Sequence, residues 1–241
     1  MSSSIRYLAL GDSYTIGTGA SDESHNFPSI LSGLLSTATG MRVELTNPAV
    51  NGFTTLDLIA KELSSLEQVK PDLVTVLIGV NDLVQNRSVD EYRTSLREIY
   101  DRIGALGLPS GRVAAISIPN WSVVPAAAQY GEPQLIKSVT NGFNAAARKE
   151  ALELGFDWVD VTGVSTYRLG SPGWIAADEL HPGDALTNEL EPGCLQHGGI
   201  VGGRSRMWQT LTHGGQPGGM GCVEALGQSR TTFLDVVRQD A

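Results

Sequence analysis

Short apolar runs alternate with amphipathic stretches along the chain from Ile5 to about His181. The clearest run covers residues 72–78, is rich in β-branched side chains and is apolar on both faces. A strand with that pattern is expected in the centre of a parallel sheet, where helices cover both sides. Four further runs have the composition of strands, and they lie at 5–10, 42–45, 113–118 and 158–161. The pattern therefore predicts a five-stranded parallel sheet.

Three apolar stripes at helical spacing predict helices between these strands. The first contains Leu56, Ile59, Leu63 and Leu66, the second Val89, Tyr92, Leu96, Ile99, Ile103 and Leu106, and the third Leu135, Val139, Phe143 and Ala147. Thr54 and Thr55 can cap the first helix, and Ser88 with Glu91 forms a capping-box pattern before the second. The alternation predicts an α/β fold with three layers, an α/β/α sandwich in which ligands bind at the carboxyl ends of the strands.

The charge balance narrows the range of partners. The chain has 241 residues, with 17 Lys and Arg against 26 Asp and Glu, and a net charge of −9. Phosphates of nucleic acids and anionic membranes would be repelled, so we expect neither as a partner. No run approaches the roughly 18 apolar residues of a transmembrane helix. The N-terminus does not resemble a signal peptide, and we therefore expect a cytoplasmic protein.

The composition changes abruptly after residue 184. Residues 185–241 are rich in glycine, contain both cysteines and show little periodicity before Thr231. We therefore expect one α/β domain at 1–184, followed by an atypical glycine-rich C-terminal extension at 185–241. The extension is interpreted either as a frame-shifted segment or as an arm that contributes to a homo-oligomer contact. Its one expected regular element is 231–238.

Four short polar segments each follow a predicted strand. They are 11–15 with Ser13, 47–52 with Gly52, 79–82 with Asn81, and 178–182 with Asp178 and His181. Each segment alone can be explained as a turn or a helix cap. All four nevertheless fall at the same edge of the predicted sheet, because the carboxyl ends of parallel strands meet there. No separate structural explanation covers the four positions together.

The combined set has the parts needed for nucleophilic catalysis. Asp178 lies three residues before His181, so its carboxylate can hold the imidazole Nδ1–H and leave Nε2 free to take a proton from a serine. The backbone N–H groups of Ser13 and Gly52 and the side-chain amide of Asn81 could bind an oxyanion. We therefore predict a Ser13–His181–Asp178 triad, with Ser13, Gly52 and Asn81 as the oxyanion hole.

The order of these blocks, Gly-Asp-Ser, Gly, Gly-x-Asn and Asp-x-x-His, resembles the SGNH or GDSL hydrolase family. The resemblance covers residues 5 to about 184 and extends beyond the blocks. Residues 13–19, residues 51–55 and Ile118-Pro119-Asn120-Trp121 with Pro125 are similar to a branch of bacterial GDSL esterases. Two features depart from the family: Asn120-Trp121-Ser122 stands where related sequences often have Asp and then Trp-Gly, and the usual closing amphipathic helix after the histidine is not visible.

The resemblance implies a flavodoxin-like fold, no metal or organic cofactor, and esterase, lipase or acetyl-carbohydrate esterase activity. It also implies that Ser13, Gly52, Asn81 and His181 are the four signature residues, with Asp178 as the acid. We expect hydrolysis of carboxylic esters, with short-chain acyl or acetyl groups, through an acyl-enzyme.

The predicted pocket wall and several alternatives remain open. Phe53, Trp121 and Val124 are predicted to line the pocket, although Trp121 is equally well explained by packing under its loop. The same triad could support an acyltransferase, in which an alcohol replaces water. A non-catalytic alternative is a phosphate-binding module built on 11–19. Cys194, His197, His213 and Cys222 could be read as a zinc set, but their spacing suits no zinc pattern, and no metal is expected.

Overall fold

A five-stranded parallel sheet forms the centre of the computed structural model, which describes residues 4–188. Its order is β2-β1-β3-β4-β5, and all four neighbouring pairs are parallel. The strands are β1 (Ser4–Gly11), β2 (Arg42–Thr46), β3 (Leu73–Leu77), β4 (Val113–Ile116) and β5 (Asp157–Val159). This order is the flavodoxin-like form of a doubly wound sheet. The predicted α/β/α fold is confirmed, and β3 is central and fully buried.

Helices connect the strands on both faces of the sheet. They are α1 (Ser13–Ile16), α2 (Phe27–Thr39), α3 (Thr55–Lys61), α4 (Ser65–Val69), α5 (Val80–Val84), α6 (Val89–Gly104), α7 (Pro133–Glu153) and α8 (Asp184–Asn188). Short 3-10 helices lie at Glu23–His25, Trp121–Val123, Pro125–Tyr130 and Val164–Thr166. Helix α8 crosses the boundary predicted after residue 184, and the rest of the predicted extension lies outside the described residues.

Two helical regions differ from the sequence prediction. The stripe from Leu56 to Leu66 forms two helices, because Glu62 leaves α3 to accept the backbone N–H of Gly11 at 3.0 Å. Helix α2, which the apolar pattern did not indicate, begins at a side-chain cap. There the Oδ1 of Asn26 accepts the N–H of Ser29 at 2.9 Å. A local cap and a distant hydrogen bond therefore set these helix limits.

The second and third stripes form most of the core on one face of the sheet. Leu96, Ile99 and Ile103 of α6 are fully buried, and Tyr92 stacks on Phe143 of α7 with a ring-centroid distance of 4.4 Å. The predicted capping box at Ser88 is present with both of its hydrogen bonds. Both helices form as predicted, but the first residue of each stripe, Val89 or Leu135, is exposed to solvent. Each lies in the first turn of its helix, away from the sheet.

Candidate active site

Ser13 lies where the chain turns from β1 into α1. Asp12 is the N-cap of α1, and its Oδ1 accepts the N–H of Tyr14 at 3.0 Å. The turn requires glycine at position 11, where φ is +155° and an added Cβ would lie 2.2 Å from the carbonyl oxygen of Leu77. Ser13 is largely buried, at 4% exposure. Its backbone N–H belongs to the first turn of α1, where no acceptor within the helix is available.

Asp12 connects the turn of Ser13 to the segment after β3. Its carboxyl is fully buried. Burial raises the pKa of the Asp12 carboxyl to about 7, while hydrogen bonds from the backbone of Tyr14 and Gly79 lower it and the charge of Asp82 adds to the rise. Its Oδ2 also lies 3.5 Å from the side-chain nitrogen of Asn81. The conformation of the serine turn is thus coupled to the neighbouring strand end.

Asp178 and His181 form the predicted acid–imidazole pair. The Oδ2 of Asp178 lies 2.6 Å from the Nδ1 of His181, and its Oδ1 accepts the His181 backbone N–H at 3.0 Å. Burial favours the neutral carboxyl, but hydrogen bonds from the backbone and ring of His181 and the backbone of Leu180 prevail and lower the pKa of Asp178. The pair is therefore held as a carboxylate against an imidazole whose Nε2 is directed away from the acid.

The loop of His181 packs against the segment that begins with Ser13. The rings of Tyr14 and His181 lie 5.6 Å apart, centre to centre. A Cβ added to Gly19 would come within 3.0 Å of the His181 Cβ. His181 is 8% exposed and Ser13 is 4% exposed. The structure thus packs the ring of the predicted base against Tyr14, the residue that follows the predicted nucleophile.

Asn81 is hydrogen-bonded to the residue that follows Gly52. Gly52 has φ +84°, a conformation suited to glycine, and lies in the exposed turn before α3. Asn81 lies in the first turn of α5, just after Gly79. The Nδ2 of Asn81 donates to the carbonyl oxygen of Phe53 at 2.9 Å. This bond places the amide of Asn81 beside the residue that follows Gly52.

The three predicted pocket residues have different surroundings. Phe53 is half-buried, with the Nζ of Lys61 at 4.5 Å from its ring centre. Trp121 is 2% exposed and its Nε1 donates to the Oγ1 of Thr140 at 3.2 Å, which favours the alternative that it packs under its loop. Val124 is also buried in the core.

Three further residues of this part of the chain were not predicted from the sequence. Val123, beside the buried Val124, is 39% exposed. Asp82 and Glu62 are buried acids that bind the backbone near the predicted site. Gly-x-Asn-Asp in the sequence was a signal for Asp82, whereas no local pattern distinguishes Glu62 from an ordinary helix residue.

Within residues 4–188 no group of three or more His, Cys, Asp or Glu side chains could hold a metal ion. Cys194, His197, His213 and Cys222 lie outside the described residues. No helix in the described part of the chain is long and apolar enough to cross a membrane.

A doubly wound sheet that gathers polar side chains at its carboxyl edge has the arrangement in which α/β proteins bind their ligands. A model of the GDSL-like lipase/acylhydrolase family matches residues 9–186, and the chain belongs to that family. The family makes the protein a carboxylic ester hydrolase, as the sequence analysis predicted, and disfavours the phosphate-binding alternative. No curated protein matches the chain.

Several solved esterases and hydrolases have a similar fold. An acetyl xylan esterase variant from Geobacillus stearothermophilus superimposes with a TM-score of 0.62 at 20% identity, over 83% of this chain and 97% of that one. A psychrotrophic esterase from Pseudoalteromonas sp. gives 0.61 at 18% identity, over 80% and 95%. A lipase/acylhydrolase from Enterococcus faecalis gives 0.59 at 22% identity, over 80% and 93%. At these identities the similarity shows the fold.

Proposed function

We propose that the chain hydrolyses carboxylic esters with Ser13 as nucleophile, His181 as general base and Asp178 as the acid that orients the imidazole. The observation that carries the proposal is the 2.6 Å contact between Asp178 Oδ2 and His181 Nδ1, in a loop packed on the segment that begins with Ser13. A carboxylate on Nδ1 selects the tautomer whose Nε2 can accept a proton.

In the proposed reaction Nε2 of His181 removes the hydroxyl proton while Oγ of Ser13 attacks the ester carbonyl. The tetrahedral oxyanion then collapses, the bond to the alcohol breaks, and the protonated imidazole gives its proton to the departing oxygen. Water, deprotonated by His181, attacks the resulting acyl-enzyme, and collapse of the second intermediate releases the acid and restores Ser13. Formation and hydrolysis of the acyl-enzyme use only the ester, water and side chains of this protein, and no cofactor takes part in either step.

We further propose that the N–H groups of Ser13 and Gly52 and the amide of Asn81 stabilise the oxyanion. The free N–H at the start of α1 and the φ of +84° at Gly52 support two of these roles. The bond from Asn81 to the carbonyl of Phe53 supports the third, because it holds the amide next to Gly52. Removing one such donor typically lowers kcat by about 10²–10³-fold.

The proposed substrate is a neutral ester with a short acyl or acetyl group. The fold similarity to an acetyl xylan esterase supports a small acyl group. The half-buried ring of Phe53, directly after Gly52, supplies apolar surface for it. A panel of p-nitrophenyl esters of increasing chain length tests this, and highest kcat/KM on a long-chain ester would contradict it. Product analysis in water–alcohol mixtures distinguishes hydrolysis from acyl transfer.

A fluorophosphonate probe tests the nucleophile directly. The probe should label the wild-type protein on Ser13, and Ser13→Ala should abolish labelling and lower kcat by about 10³-fold or more. Ser65→Ala is the matched control, since Ser65 is also a buried serine at the start of a short helix. It should keep both labelling and activity. Labelling that persists in Ser13→Ala would refute the proposed nucleophile.

A further inference from the structure

Asp82 is a fully buried acid next to Asn81 that the proposed mechanism does not use. Both of its oxygens bind the first residue of α3. Oδ2 accepts the backbone N–H of Thr55 at 2.8 Å, and Oδ1 accepts the Thr55 hydroxyl at 2.6 Å. Asp82 therefore ties α5, which carries Asn81, to the segment that follows Gly52.

Arg87 binds both Asp82 and Thr55, and it also binds α6. Its Nη1 donates to Asp82 Oδ1 at 2.6 Å and to the Thr55 hydroxyl at 2.8 Å. Its Nη2 donates to the carbonyl of Glu91 at 3.2 Å and to the hydroxyl of Ser95 at 3.1 Å, both on α6. The Arg87 side chain is 17% exposed and that of Asp82 is 0% exposed. The ion pair thus anchors the joined loops on a long core helix.

This arrangement matters because two of the three proposed oxyanion donors, Gly52 and Asn81, follow different strands. Gly52 follows β2 and Asn81 follows β3, and these strands are not neighbours in the sheet. No ladder of strand hydrogen bonds therefore sets their separation directly. Two direct ties join their segments: the bond from Asn81 to the carbonyl of Phe53, and the pair of bonds from Asp82 to Thr55.

We propose that the Asp82–Arg87 ion pair is a positioning device that sets the spacing of Gly52 and Asn81 around the oxyanion. The inference rests on the proposed function and adds two residues to it. Neither side chain is proposed to touch the substrate. The ion pair acts through Thr55 and Asn81. Its effect is therefore on the stability of the transition state, in which the negative charge has developed.

The test compares Asp82→Asn and Arg87→Lys with the wild type on a short-chain p-nitrophenyl ester. Asp82→Asn keeps the shape of the side chain but removes its charge. Arg87→Lys keeps the charge but removes the forked geometry of the guanidinium. We expect kcat to fall about ten- to a hundredfold with KM changed less than about threefold, because small misplacements of catalytic donors cost that much. Arg87→Lys is the milder change and serves if Asp82→Asn does not fold.

A second ion pair, in which the acid is buried and the arginine is 41% exposed, supplies the control. Arg97 of α6 binds Glu150 of α7 at 2.5 Å, and Glu150 is 7% exposed. Glu150→Gln should lower the melting temperature without lowering kcat. If kcat falls equally in Glu150→Gln and Asp82→Asn, the effect is general destabilisation and the positioning role is refuted.

A double-mutant cycle with Asn81→Ala separates positioning from an independent effect. If Asp82 acts by placing the donors, Asp82→Asn should cost less in the Asn81→Ala background than in the wild type. Additive losses, or an unchanged kcat in folded Asp82→Asn and Arg87→Lys, would overturn the proposal. Failure of the proposed function itself would be seen differently, as fluorophosphonate labelling that does not depend on Ser13.

Discussion

The backbone N–H of Gly11 donates to Oε2 of Glu62 at 3.0 Å, so a buried carboxyl lies against the turn that leads to Ser13. The other oxygen, Oε1, is buried without a hydrogen-bond partner in the described part of the chain. Burial raises the pKa of Glu62 to about 8, and the charges of Asp12 and Asp57 add to the rise. The folded protein therefore holds a proton on Glu62 at neutral pH.

This raised pKa predicts a loss of stability with rising pH. Between the ordinary value of 4.5 and about 8, Glu62 binds more protons in the folded than in the unfolded state, so the free energy of unfolding falls as pH increases through that window. Glu62→Gln removes the titration and keeps an acceptor for Gly11. We expect its melting temperature to exceed that of the wild type at pH 8.5, by about 2–4 °C for each kcal/mol of difference.

The comparison at two pH values makes this prediction specific. At pH 5 the gain from Glu62→Gln should be small, because Glu62 is then protonated and neutral in the folded wild type. The control is Glu67→Gln on the exposed side of α4, where the side chain is 83% exposed. Its effect should be the same at both pH values. A Glu62→Gln effect that is equal at pH 5 and pH 8.5 would contradict the assignment.

Replacing Asp178 should harm catalysis less than removing His181. In Asp178→Asn the amide oxygen can still accept the backbone N–H of His181, so the turn is retained while the imidazole loses its preferred tautomer. His181→Ala removes the base itself. We expect the loss in kcat to be at least about tenfold greater for His181→Ala, as found when triad members are deleted separately in other serine hydrolases. Equal losses would indicate that Asp178 does more than orient the ring.

The rate should depend on pH as expected for a histidine base. A neutral imidazole is needed to accept the proton of Ser13, so kcat/KM should rise between pH 5 and 8. The Asp178 carboxylate should not contribute in this range, because its pKa is lowered by the hydrogen bonds from His181 and Leu180. A flat profile from pH 5 to 9, measured with unfolding excluded by circular dichroism, would count against His181 as the base.

Gly19 should be required for the position of His181. Its φ is +95°, and an added Cβ would lie 2.7 Å from Ala176 Cβ and 3.0 Å from His181 Cβ. Gly19→Ala must therefore shift the loop of the base, and a displacement near 1 Å lowers rates by about 10²-fold. Gly170→Ala is the control, since Gly170 has φ +91° with nothing within 4 Å. Gly170→Ala should introduce backbone strain similar to that of Gly19→Ala and yet keep full activity.

Local pattern was sufficient for most of the fold. A buried strand such as β3 needs apolar residues on both faces, and a helix such as α6 needs an apolar stripe and a cap at Ser88. These requirements concern residues that are close in sequence, so the amino-acid sequence alone reveals them. The spacing of Asp178 and His181 was readable for the same reason, because three residues of a turn bring the carboxylate to the ring.

Tertiary contacts decided what local pattern could not. Trp121 begins a short 3-10 helix, and its indole is buried in the core, where it donates to Thr140 of α7. Glu62 belongs to an apolar helical stripe, yet its bond to Gly11, across 51 residues, divides that stripe into α3 and α4. The bond between Asp82 and Thr55 likewise joins α5 and α3, which follow strands that are not adjacent in the sheet. The sequence by itself determined most of the helices and strands and was enough to propose the reactive groups, since both follow from local periodicity and side-chain chemistry. Which distant groups meet depends on strand order and packing, and these are properties of the folded chain as a whole.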